Sequence, residues 1–401
     1  MSMPHRRRFL SALGAGALAM RAPRLYAAPR GSARLLVVFL RGAYDCNHVL
    51  VPHSSEFYYE ARPNIAIAAP DPSSPSAAIR LDADWALAPA LRTSLLPLWE
   101  RQQLAFVPFA GISDDLSRSH FATQDHIEAG WPVASRRHDS GFLARLATQL
   151  NGVEPIAFTR DQPAIYRGAQ VPNLSLKGND LRASGFDARQ SALLAELYVG
   201  TPQQAAVEEG IALREQALRD TRGEEDASSR GAASASTFEQ EARRVARMMR
   251  ENYRLGFVDV GGWDTHVNQG DGEGALARKL SSLGQGLAGY ADELGKAEWR
   301  NTVVVVLSEF GRTFRENGNK GTDHGHGTVY WLLGGGVRGG RILGEQVVVE
   351  QRTLFQNRDY PVLTGYQDLL ATLFQQVWGM SGRQINRSVF AASTPLRIQL
   401  V

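Results

Sequence analysis

The chain has 401 residues, 43% hydrophobic, 21% charged and 8% aromatic, with one cysteine and a formal net charge of +3. This composition excludes collagen-like, disordered and disulfide-stapled classes, and the length suffices for a large core. Residues 1–28 carry five arginines and no acid, so the remainder holds 39 basic against 41 acidic side chains and gives no support for nucleic-acid binding.

The first segment reads as an export signal. His5-Arg-Arg-Arg-Phe-Leu10 precedes the apolar stretch from Leu10 to Met20 and a run of small residues before Pro29. A basic start, a short apolar centre and a small-residue zone make a bacterial signal peptide over 1–28, cut near Ala27 or Ala28. Arg6-Arg7 followed by x-Phe-Leu is its twin-arginine form, so the export machinery of that route is the expected partner and the periplasm or exterior the expected location. The competing reading is a first helix of the fold. The apolar run is too short to span a bilayer, and no later segment is apolar enough to do so.

Residues 29–401 read as one domain. Arg34–Leu40 is a buried first strand, ending in the turn Arg41-Gly-Ala-Tyr-Asp45. Pro89–Gln102 has helical spacing, Leu104–Phe109 is a second strand, and Ser119–Ala129 is a helix ended by Gly130-Trp-Pro132. Residues 160–250 read as a helical cap, interrupted by a polar, mobile surface loop over 222–236. Gly256–Val260 is a strand, Gly274–Trp299 a long helix and Thr302–Leu307 the clearest buried strand. Apolar strands separated by helices predict an α/β fold with a mainly parallel central sheet.

Polar clusters follow those strands, where open α/β sheets bind ligands. Asp45 follows the first strand. Gly262-Trp-Asp-Thr-His266 follows the strand at Gly256, Glu309 follows the strand at Thr302, and Gly321-Thr-Asp-His-Gly-His-Gly-Thr328 comes shortly after. Carboxylates and imidazoles on tight glycine turns are ligands for a divalent metal, zinc first, with calcium, magnesium and manganese as alternatives. Asp264, His266, Asp323, His324 and His326 are the candidates from these turns. Blander readings stand beside them: polar turns capping neighbouring elements, Asp45 as an Asx-turn residue and Glu309 paired with Arg312.

Five motifs together resemble the bacterial exported domain-of-unknown-function family DUF1501, related to the alkaline phosphatase and sulfatase superfamily. They are Val37-Val-Phe-Leu-Arg-Gly-Ala-Tyr-Asp45, Arg118-Ser-His-Phe121 with Gln124-Asp125, Gly262-Trp-Asp-Thr-His266, Ser308-Glu-Phe-Gly-Arg-Thr313 and Gly321-Thr-Asp-His-Gly-His-Gly327. The resemblance implies an alkaline-phosphatase-like sheet and one or two metals. It places Asp45, Asp264, His266 and His326 among the ligands. Glu309 and Phe310 stand where the superfamily has Asp-His, so Asp323 or His324 would supply a missing ligand. Ser119 at a helix start is the candidate nucleophile, with an ordinary N-cap as the alternative. Arg118, His120 and Arg312 are candidate clamps for an anionic ester. Cys46 lacks the signature of formylglycine chemistry. The implied function is a metal-dependent hydrolase of phosphate or sulfate esters; the alternative is a non-catalytic exported protein acting in envelope assembly or carbohydrate binding.

Replacing Arg6 and Arg7 together with lysine is expected to leave the precursor in the cytoplasm. Cell fractionation in a strain with a working twin-arginine route checks this, and unchanged export refutes it.

Overall fold

The computed structural model describes residues 32–174, 195–211 and 237–401. The expected signal and the polar loop 222–236 lie outside the described residues. The expected cap over 160–250 is described only at 160–174, 195–211 and 237–250, where residues 204–211 and 237–250 are helical.

Eight strands form the central sheet: β1 (Arg34–Leu40), β2 (Leu104–Gly111), β3 (Pro155–Phe158), β4 (Leu255–Val260), β5 (Thr302–Ser308), β6 (Thr328–Leu333), β7 (Arg341–Ile342) and β8 (Thr364–Gly365). Their order is β7-β2-β6-β5-β1-β4-β3, with β8 also on β2. Only β6 runs against its neighbours. The mainly parallel sheet expected from the apolar strands is therefore present.

Alternation along the strands divides the core in two. Leu36, Val38, Val304 and Val306 face one layer with the helices α3 (Thr237–Glu251) and α4 (Ala275–Trp299). Leu35, Val37, Val303 and Val305 face the other, with α2 (Phe142–Gln149) and α5 (Tyr366–Trp378). Both faces are covered, so β1 is apolar from Leu35 to Leu40 and β5 from Val303 to Leu307, with no alternation. The remaining major helix, α1 (His120–Ala129), stops at Gly130, whose φ of 69° is a left-handed conformation that suits glycine.

Register sets the position of the site. Leu40 pairs with both Val260 and Ser308, so β1, β4 and β5 end at one level. Because β6 is antiparallel, the loop entering it at Thr328 arrives at the same edge. That edge collects the segments at Arg41, Gly261, Glu309 and Asp323.

Two expected elements differ in detail. Pro89–Gln102 is a 3-10 turn at Pro89–Leu91 and a short helix at Leu96–Glu100, since Pro97 starts a helix but cannot continue one. The long helix α4 bends at Gly295, where φ is 75°. Among the described residues no helix is long and apolar enough to cross a membrane.

The helices α3 and α4 touch at Gly286, where a Cβ would lie 2.2 Å from Phe238 Cδ1. Gly286→Val is expected to cost about 1–3 kcal/mol through this overpacking, read as a lower denaturation midpoint with an unchanged slope.

Candidate metal centre

The loops at the sheet edge lie closer than side chains would permit. A Cβ on Gly311 would meet the Gly327 carbonyl oxygen at 1.9 Å, and one on Gly321 would meet the His266 backbone at 2.3 Å. Gly311 donates its amide to the His326 carbonyl at 2.9 Å, and Gly325 donates to the Gly311 carbonyl at 2.8 Å. Glycine at these positions lets the loops after β4 and β5 and the loop before β6 interleave.

Three side chains converge there. His120, the first residue of α1, Asp264 and His324 offer donor atoms that all lie within 4.8 Å of one another. His120 Nε2 is 3.0 Å from His324 Nε2. Asp264 Oδ2 is 3.6 Å from His120 Nε2, and its Oδ1 is 3.4 Å from His324 Nε2. His266 flanks this trio, with Nε2 2.8 Å from Asp264 Oδ1 and 3.2 Å from His324 Nε2. Nitrogen and oxygen ligands at about 2.0–2.2 Å from a tetrahedral ion stand about 3.3–3.5 Å apart, which these separations approach.

Each ring is held from behind through Nδ1. His120 donates to Glu309 Oε1 at 2.7 Å, His266 to Asp323 Oδ1 at 3.1 Å and His324 to the Arg118 carbonyl at 3.0 Å. The acceptors have no proton to offer. Burial would raise the Glu309 carboxyl, but hydrogen bonds from His120, Gln124 and the Gly42 amide hold it below the ordinary carboxylate range. Burial likewise opposes ionisation of Asp323, and bonds from Asn317 and His266 overcome it. With an acceptor at each Nδ1, the Nε2 atoms point at one region. Nitrogens 3.0 and 3.2 Å apart call for a proton or a metal ion between them. Imidazoles with orienting acceptors behind them are the usual surroundings of a bound metal. Burial first, and then the neighbouring His120 and Arg312, hold His324 below its ordinary value, which keeps it unprotonated for ligation. For Asp264, burial would raise the carboxyl, but its bond to Arg312 and the nearby charges keep it ionised. Two imidazoles and one carboxylate therefore fit a zinc-like ion with a position left open.

The structure redistributes the expected ligands. Asp264 and His324, both expected as ligands, belong to the converging trio, and His266 adjoins them. His120, expected as an anion clamp, joins them instead. Glu309 and Asp323 are the acceptors that orient His120 and His266. Asp45 is fully buried on other partners: Arg62 grips it at 2.6 and 3.2 Å, Gln269 donates at 2.7 Å, and His48 lies at 3.1 Å. Burial alone would raise its pKa; Arg62 and His48 drive it far below the ordinary range. His326 packs its ring on Phe355 with centroids 4.8 Å apart and is not among the converging donor atoms. Phe310 stacks its ring on His120 with centroids 4.9 Å apart.

Ser119, Arg118 and Arg312 each have partners within the protein. Ser119 is the N-cap of α1, its Oγ accepting the Ala122 amide at 3.5 Å. Arg118 directs its guanidinium to Asp359 at 2.6 and 3.0 Å and to Gln356 at 2.8 Å. Buried Arg312 donates to the carbonyls of Gly42, Ala43, Trp263 and Thr322 and to the Asp264 carboxylate. Arg62, Gln269 and His48 were not singled out in the sequence, for no local pattern marks a residue whose partner is distant.

The family model described as "Protein of unknown function (DUF1501)" matches residues 32–389. No curated protein matches the chain significantly. Similar solved structures include the lipoteichoic acid synthase LtaP from Listeria monocytogenes, with TM-score 0.40, 9% identity and coverage of 93% of this chain and 77% of that one. A protein in the alkaline phosphatase superfamily from Vibrio parahaemolyticus has TM-score 0.32 and 10% identity, over 75% of this chain and 60% of that one. The 2-O GAG sulfatase BT1596 has TM-score 0.38 and 9% identity, over 91% and 73%.

His324→Ala is expected to lower zinc affinity at least tenfold by calorimetry, and binding to the intact chain should weaken as pH falls and protons compete for the rings. His326→Phe should leave affinity unchanged. Burial pushes His326 from 6.5 down to about 4, so the stability it contributes is complete above pH 6.5 and lost as pH falls toward 4. That loss, on the order of 2–3 kcal/mol, should be absent from the unfolding profile of His326→Phe.

Proposed function

The chain belongs to the DUF1501 family, and we propose that it is a metal-dependent hydrolase of phosphate or sulfate esters that works outside the cytoplasm after twin-arginine export. The observation that carries this reading is the convergence of His120, Asp264 and His324 at the carboxyl edge of the sheet, each imidazole held with Nε2 forward. The side chain of Asp264 is 44% exposed, so the centre opens to solvent on one side. His120, Asp264 and His324 would hold a divalent ion, zinc by the donor set, which would supply Lewis acidity toward an ester.

The chain's own residues do the rest. His266 stands beside the trio, its Nδ1 anchored on Asp323 and its Nε2 2.8 Å from Asp264, and is the ring this reading assigns as general base. It takes a proton from the attacking water and returns it to the leaving alcohol. Arg312, fixed by backbone carbonyls, holds Asp264 in place through both steps. Attack is assigned to water because Ser119 Oγ serves the helix cap.

A second reading has one observation in its favour. Arg118 and Arg312, expected to clamp an anion, are both engaged within the protein. A non-catalytic protein that keeps its metal for structure, in envelope assembly or carbohydrate binding, would look the same.

Aryl phosphate and aryl sulfate hydrolysis by zinc-loaded mature protein decides between them. His324→Ala and His266→Ala are expected to lower kcat at least a hundredfold. Ser119→Ala should keep turnover and lose about 1 kcal/mol of stability with its cap. Inert wild-type protein would favour the second reading, and loss of turnover in Ser119→Ala would make the serine the nucleophile.

A further inference from the structure

A cavity of about 630 Å³ opens at the carboxyl ends of β1, β3 and β4, next to the metal centre. Its size lies within the range of ligand pockets, roughly 300–1,000 Å³. Its walls carry three arginines against five carboxylates. Arg41, the innermost arginine, is already paired with Asp259 at 2.7 Å and Glu128 at 2.9 Å. A net-acidic cavity repels polyanions, and its few apolar side chains give no deep greasy slot.

Phe121 lines the cavity and is 85% exposed, an unusual position for a phenyl ring. It directly follows His120, so the ring stands at the boundary between cavity and metal centre. Gln124 links the two sites: its amide donates to Glu309 at 2.8 Å and its carbonyl accepts from Arg41 at 3.0 Å. Glu309 in turn orients His120.

We propose that this cavity binds an uncharged glycosyl unit, the non-reacting part of the substrate whose ester group lies at the metal. A sugar presents a flat face of C–H groups, which suits the Phe121 ring. Around it are hydroxyls that both donate and accept, which suits Asp125, Asp161, Gln162 and Arg160 on the walls. Neutral hydroxyls meet mixed charges without the repulsion that a sulfated or phosphorylated unit would suffer. The proposal rests on the hydrolase reading for the role of the sugar, though not for its binding.

The test uses mature, zinc-loaded protein on immobilised neutral oligosaccharides of glucose, galactose, mannose and N-acetylglucosamine, with polysulfated and polyphosphate chains as anionic probes. Retention on at least one neutral oligosaccharide is expected. Phe121→Ala should weaken it at least tenfold with metal content and unfolding midpoint unchanged, and Phe121→Trp should restore it. Retention on no neutral oligosaccharide, retention on the polyanions alone, or indifference to Phe121→Ala overturns the proposal. Binding should persist in metal-free His324→Ala. Wild-type protein that binds sugar yet cleaves no aryl ester refutes the hydrolase reading and leaves the sugar site standing.

Discussion

One buried guanidinium holds the functional edge together. Arg312 reaches from the loop after β5 to carbonyls after β1, after β4 and before β6, and to the carboxylate of Asp264. Backbone bonds such as Gly311 to His326 and Thr322 to Thr265 join some of these segments pairwise, and the guanidinium is the side chain that reaches all of them. Their carbonyls would be unsatisfied within the protein, so a planar fork with five donors suits the junction better than any other side chain. Lysine would offer three donors from one point and could not span it.

The same logic explains why the centre is preorganised. Each ring of the candidate centre is supported by an acceptor on another segment: Glu309 for His120, Asp323 for His266 and the Arg118 backbone for His324. Arg118 has a φ of 52°, a strained conformation for a side-chain-bearing residue, and its pair with Asp359 maintains it. Orientation is thus fixed before any ligand arrives, which removes most of the ordering cost of binding. The aromatic ring of Phe310 completes the support by stacking on His120, and among the described residues one group of ligands forms.

Much of this was legible in the sequence. Unbroken apolar runs at Arg34 and Thr302 could only be strands covered on both faces, and polar residues just past them had to emerge at the sheet's carboxyl edge. Glycines around Asp264, Glu309 and His324 marked backbones that approach closely. Composition, chain order and the α/β class therefore follow from local chemistry: apolar side chains must be buried, and chain reversals need particular residues. Strand β6 was less legible, since a six-residue apolar run does not reveal its direction.

The distribution of roles required the folded chain. The sequence grouped Asp45, Glu309 and His326 with the convergent residues because Asp45 and Glu309 follow strands and His326 shares a glycine-rich loop with His324. Direction separated them: Asp45 turns inward to Arg62, Glu309 sits behind His120, and His326 faces Phe355. Which carboxylate faces a metal and which faces an arginine depends on partners dozens to hundreds of residues away. A sequence names the groups able to ligate, pair or cap, because those capacities are properties of single side chains. Which capacity each one exercises is set by the register of β1, β4 and β5 and by the loops that Arg312 joins, because convergence is a relation among distant residues that only the packed sheet creates.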